Sequence, residues 1–270
     1  MNRQLVLLLA LVAAPALAAD PDWVVIRTDF YRLHHAPDRE PDAKKVQQLL
    51  DASIAALKTE FDGLPVADLL TVDCALYLHP KGSGKASEYS VSITTRQDGD
   101  KYTAVIDLLT PSAYSPTYRS NVGEPAGDDY FAKLVMHEYS TILLERITRT
   151  KKGGWSFYSA PQWFTDGYEE YLGLMRTTPR NRNEVFAKYL ATQKADPGRV
   201  TFEFGISVAD PYIDGALLLA FMHDEFGRKR VQAILTSREP RFGKALAAGL
   251  GVGLDEFQKR WADWLKKKLG

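Results

Sequence analysis

Residues 128–149, Asp-Asp-Tyr-Phe-Ala-Lys-Leu-Val-Met-His-Glu-Tyr-Ser-Thr-Ile-Leu-Leu-Glu-Arg-Ile-Thr-Arg, mark the point where the chain stops alternating and begins to turn. Phe131, Leu134, Val135, Ile142 and Ile147 recur at helical spacing, which predicts a helix with an apolar core face. Asp128 and Asp129 complement the positive end of its dipole, and Lys151-Lys152-Gly153-Gly154 ends it.

Upstream the pattern is mostly that of strands. Trp23–Tyr31 is β-branched and aromatic and predicts one strand. Residues 41–61 then predict a helix, entered at Pro41-Asp42, with Val46, Leu49, Leu50, Ile54, Leu57 and Phe61 on its apolar face. After the break at Gly63-Leu64-Pro65 come three strand segments at 74–80, 87–95 and 101–109, the last two joined by the hairpin signal Gln97-Asp98-Gly99-Asp100. Lys81–Lys85 and 112–127 are polar loops.

Downstream everything is helical: a helix opening at Pro161, then 181–194, 213–226, 228–236, 240–249 and 254–268. The expected class is α+β, an N-terminal mixed β-sheet (19–127) followed by a helical C-terminal part (128–270).

Composition narrows the function. Of the 270 residues, 34 are Lys or Arg and 34 are Asp or Glu, a balance that argues against a nucleic-acid binder. Arg3, the apolar run Leu5–Ala14, Pro15 and Ala16-Leu17-Ala18 have the form of a signal peptide, with cleavage expected after Ala18 and the mature chain starting near Ala19 or Asp20. That run is shorter than the roughly 20 residues needed to span a bilayer, and no later segment qualifies. The expectation is therefore an exported protein, periplasmic or secreted, with no transmembrane segment in the mature chain. Cys74 is the only cysteine, so no internal disulfide forms. It shares a strand face with Leu76 and Leu78, which predicts a buried structural thiol.

The chemistry sits on the helix quoted first. Two histidines at i and i+4 lie on one helical face and can grip a single Zn²⁺, with an intervening Glu as general base toward the metal-bound water. Here His137 and Glu138 are present, but Thr141 stands at i+4, where the second histidine would be. Trp163-Phe164-Thr165-Asp166-Gly167-Tyr168-Glu169-Glu170-Tyr171 resembles the W-L-x-E-G-x-A-E-Y segment of gluzincin metallopeptidases of the aminopeptidase N type. Tyr212-Ile213-Asp214-Gly215-Ala216 resembles their Y-x-K-G-A segment, and the closing helices resemble the peptidase-MA-like group. The resemblance extends from about Trp23 to Lys268, and its specific part is 131–171 with 211–226.

The resemblance implies a thermolysin-like catalytic domain. It makes Asp166 the counterpart of the third zinc ligand and Glu138 the base, with Tyr212 stabilising the oxyanion and Glu170 in a supporting place. Catalytic zinc wants three protein ligands and an open position for water. His137, Thr141 and Asp166 supply one imidazole, one neutral hydroxyl and one shortened carboxylate, so zinc should be weakly held or absent.

Two functions follow. One is a non-catalytic or strongly impaired peptidase homologue that binds peptide or protein in its cleft, with the strand around Thr103–Leu109 as the edge that receives it. The other is an active zinc-dependent peptidase using His137, Asp166 and an unidentified ligand, Glu169 and Glu170 being the nearest carboxylates in sequence. A bare scaffold role has no positive support. His34, His35, His79 and His223 are expected to be surface or capping residues, and Glu145 lies too far along its helix to share a metal. Trp163 and Phe164 are expected to pack beneath their helix.

Overall fold

A computed structural model of the chain describes residues 22–79, 91–99, 101–113, 128–150, 154–203 and 205–270. The export segment 1–18, the loop 81–85 and nearly all of 112–127 lie outside the described residues.

The predicted first strand is in fact two. β1 (Val24–Arg27) and β2 (Arg32–His35) form an antiparallel hairpin with Arg27 opposite Arg32. The chain reverses because the Thr28 hydroxyl oxygen accepts from the amides of Phe30 and Tyr31 at 3.2 and 3.1 Å, while Thr28 N donates to Tyr31 O at 3.0 Å. A threonine turn inside a β-branched run leaves no Gly or Pro to announce it. His34 and His35 consequently lie within β2 rather than after a strand.

α1 (Glu40–Glu60) is the expected helix, and α2 (Val66–Leu70) is a short helix after Pro65 that hydrophobic periodicity did not mark. β3 (Asp73–His79), β4 (Val91–Asp98) and β5 (Lys101–Leu109) complete a five-stranded sheet in the order β1-β2-β3-β5-β4. β2–β3 and β3–β5 are parallel, and the outer pairs are antiparallel. The sheet is thus mixed, as expected, but Thr103–Leu109 is not its edge. β5 is bonded to β3 on one side and β4 on the other. Burial explains the choice: Tyr102, Ala104, Ile106 and Leu108 of β5 are all buried, whereas no residue of β4 is. The strand that brings the apolar face goes inside, and β4 becomes the edge.

The helical part follows: α3 (Asp128–Thr150), α4 (Gln162–Met175), α5 (Pro179–Ala195), α6 (Ile213–Phe226), α7 (Arg228–Thr236), α8 (Phe242–Leu250) and α9 (Leu254–Leu269), with a minor ribbon of β6 (Val200–Thr201) and β7 (Ser207–Val208). Pro161 caps α4 rather than opening it. One apolar cluster runs from the inner sheet face through α1 and α3 to Trp261 and Trp264 of α9. Cys74 lies in it, 1% exposed, and burial pushes its thiol up to about 12, which makes it the inert thiol expected. Among the described residues no helix is long and apolar enough to cross a membrane.

α4 is the pivot of this half, and glycines set its distances. A Cβ at Gly167 would lie 2.5 Å from the Gly215 carbonyl carbon, and one at Gly215 would lie 2.3 Å from the Trp163 oxygen. On the other flank, a Cβ at Gly173 would come within 2.8 Å of the Lys133 oxygen. The α4 backbone therefore nearly touches both α6 and α3. Gly215→Ala should force α4 and α6 apart at a cost of about 1–3 kcal/mol, as overpacking does. Urea unfolding of the variant measures this, and an unchanged midpoint would show that the contact is not the one setting the spacing.

Candidate functional site

The glycine contacts bring three separate segments together. Gly173 seats α4 beside Lys133 and His137 of α3, and Gly167 seats it beside the start of α6. The side chains of Asp166, Glu169 and Glu170 then lie beside His137, Glu138 and Thr141, with the Tyr212 ring stacked on His137. All five site residues expected from sequence lie in this one cluster.

Glu170 is its most tightly held member. It is 1% exposed, with Oε2 2.8 Å from Lys133 Nζ and 3.5 Å from His137 Nδ1, and its Oε1 accepts from the Tyr189 hydroxyl at 2.7 Å. Glu169 faces the other nitrogen of the same ring. Its Oε1 accepts the Thr141 hydroxyl at 2.5 Å, and its Oε2 lies 3.6 Å from His137 Nε2. The imidazole is therefore bracketed by a carboxylate at each nitrogen.

Asp166 accepts from its neighbour Thr165 at 3.1 Å. Glu138 makes no hydrogen bond among the described residues and senses His137, Lys133 and Asp166 through its charge. Tyr212 is 48% exposed, and its ring stacks on His137 with centroids 5.9 Å apart and planes at 20°. It is therefore not a buried core aromatic. Asp210 holds it from below, its Oδ1 accepting from the amides of Tyr212 and Ile213 at 2.9 and 3.0 Å. Asp214, fully buried, locks that turn by accepting from Arg199 Nε at 3.0 Å and the Asp210 amide at 2.9 Å.

Charge governs the protonation states. Four carboxylates, Glu138, Asp166, Glu169 and Glu170, gather around two basic side chains, Lys133 and His137. Burial raises the Glu138 and Asp166 carboxyls and pushes that of Glu169 up to about 8. On Glu170 burial acts in the same direction, but Lys133 and His137 overcome it and hold the group below the usual carboxylate range. Burial opposes charge on His137, yet Glu170, Glu138 and Glu169 outweigh it and lift the ring to about 9. His137 and Glu169 are one coupled pair. The protonated imidazole is the firmer state, because Glu170, itself held ionised by Lys133, faces its Nδ1. Burial, with Asp166 and Glu169 beside it, pushes the Tyr212 phenol up to about 12, so it remains a donor.

The donor set does not fit the zinc site that the resemblance implies. A metal needs a neutral imidazole and three ligands, whereas His137 faces a carboxylate at each nitrogen and the Thr141 hydroxyl donates a hydrogen bond to Glu169. Among the described residues no group of three His, Cys, Asp or Glu side chains is arranged to hold a metal ion. The other histidines make their contacts elsewhere: His35 with Ala36 O, His79 with Asp107, His34 on Tyr77 and His223 on Tyr171. His35, at 2% exposed, is buried rather than a surface or capping residue. Glu145 is tied to Tyr102, Tyr158 and Arg149, away from the cluster. Trp163 and Phe164 pack against Phe242 as expected, and Trp163 also lines a cavity of about 370 Å³ with Leu246 and Phe257.

Compared with protein-family models the chain finds no match, and compared with curated proteins it finds none either.

Sequence reading passed over Lys133 and Tyr189. Lys133 carried a signal, since it stands one helical turn before His137 on the same face. Tyr189 had none, because only the docking of α5 brings it in. The Glu170 network predicts a clear acid response. Its carboxyl is depressed in the folded state, so its contribution to stability is complete above the ordinary value of about 4.3 and is lost as pH falls below it. Glu170→Gln should flatten the acid limb of a stability–pH curve in that window. Glu170→Ala, which takes from buried Lys133 its carboxylate partner, should cost about 3–5 kcal/mol in denaturant unfolding.

Proposed function

We propose that this is an exported protein of gluzincin, thermolysin-like fold, derived from a peptidase scaffold, that binds an extended peptide or protein segment in its cleft and has lost zinc hydrolysis. The observation that carries the reading is the meeting of His137, Glu138, Asp166 and Tyr212 from three distant segments, while Thr141 and Glu169 bond to each other between them. That the segments converge supports the scaffold; the Thr141–Glu169 bond argues against the metal. Export rests on the form of residues 1–18.

The receiving edge is β4 rather than β5. Among the described residues β4 pairs with β5 alone, which leaves its other side free for strand addition. It lies over the C-terminal half of α3, fixed by Thr95 to Tyr158 at 2.8 Å and by Arg149 to Gln97 at 3.4 Å. A peptide on β4 gains main-chain hydrogen bonds and needs no metal.

A second reading has one observation in its favour. The surplus of carboxylates over bases would be relieved by a bound cation as well as by protons, which is what an active peptidase with His137, Asp166 and a further carboxylate would use.

Hydrogen exchange on the mature chain, with and without a mixture of extended peptides, tests the first reading. Protection of β4 amides on peptide addition is expected, and no protection anywhere along β4 would reject it. Peptide hydrolysis that is abolished by a chelator and by Glu138→Gln would establish the second reading instead.

A further inference from the structure

The sequence departs from the W-L-x-E-G-x-A-E-Y pattern at a position not yet considered, for Glu169 stands where that pattern has alanine. The departure is not independent of Thr141. On α3 a threonine stands in place of a longer imidazole, and on α4 a glutamate stands in place of a methyl group. The long side chain reaches into the space that the short one leaves, and they meet at 2.5 Å. Its second oxygen lies 3.6 Å from His137 Nε2, the nitrogen that would face a metal in the related motif. Both residues are closed off from water, at 6% and 7% exposed.

We propose that Glu169 stands in for the metal: it is a positioning residue whose carboxylate spans Thr141 and His137 and clasps α3 to α4 across the former zinc position. The inference rests on the gluzincin-like reading of the cleft, but concerns what fills the metal position rather than what the cleft binds. The chemistry is self-consistent. A zinc ion accepts lone pairs, so its partners are bare nitrogens and oxygens. A carboxylate accepts hydrogen bonds, so its partners must be donors. A hydroxyl and an imidazole N–H are donors, which makes Thr141 the suitable partner here. Glu170 completes the arrangement by taking the opposite nitrogen of His137. The clasp fixes the ring on which Tyr212 stacks, and so shapes the cleft mouth without any ion.

The test uses the full mature chain in four forms: unaltered, Glu169→Gln, Thr141→His, and Thr141→His with Glu169→Ala. Zinc per chain is measured by elemental analysis after dialysis, and melting temperature with and without a chelator. The unaltered chain should hold no zinc and melt at the same temperature in chelator. Thr141→His alone should remain without zinc, because the carboxylate still occupies the gap. Clearing the gap in the double variant should yield one zinc per chain that survives dialysis, and a chelator-sensitive melting temperature. Glu169→Gln keeps the side-chain shape, so it folds even if the removal of the carboxylate is disruptive. One zinc on the unaltered chain that Glu169→Gln loses would make Glu169 a ligand and overturn the proposal. So would zinc on Thr141→His as tight as on the double variant, or none on the double variant. Peptide protection of β4 is measured separately, so failure of the clasp leaves the binding reading standing or falling by itself.

Discussion

The site depends on how closely the backbone of α4 approaches its two neighbours. Gly167 against Gly215 and Gly173 against Lys133 leave no room for a methyl group on either flank. Side chains that project from helices packed so tightly have little freedom in where they meet. Glu169 and Glu170 can each reach a different nitrogen of one imidazole because the helices carrying them are held at backbone contact. The same contact at Gly215 places Tyr212 three residues away from a fixed point, so its ring lies flat on His137.

Electrostatics works within that geometry and is not neutral. A buried cluster with more carboxylates than bases is costly unless it gives up charge. This one does so unevenly. Lys133 and His137 serve Glu170 so well that it stays ionised, and the cost falls on Glu138, Asp166 and Glu169, whose carboxyls all rise. Glu170 is held ionised by its neighbours, whereas burial raises the carboxyls of the other three. Such a division arises without a metal, from the unequal supply of donors.

The helices were largely legible because their signals are local. Apolar spacing marked α3 and α6 almost to the residue, and two of the three glycines that make the α4 contacts, Gly167 and Gly215, sit inside the motifs that pointed to the site. What could not be read depends on packing between elements. The Thr28 turn uses a side-chain oxygen that any strand can carry. Whether β4 or β5 lay inside was decided by which face docks on β3, a comparison between strands that neither contains alone. At the site, the sequence pointed to His137, Glu138, Asp166 and Tyr212 and to a supporting place for Glu170, but not to the contact of Glu169 with Thr141. Adjacent glutamates point to different places around a helix, and only the position of the ring between them gives each its task.

That β4 pairs with β5 alone among the described residues has a further consequence. An unpaired edge is a template for any extended chain, another copy of the same protein included. β4 presents Ser92, Thr94, Thr95, Arg96 and Gln97 along its length, with Val91 and Ile93 only half-buried. A neighbouring copy would find backbone groups to bond but little apolar surface to bury, and an arginine at the crossing point. Growth into stacked sheets along this edge would therefore bury little apolar surface. The polarity of the edge makes it a guard against fibre formation.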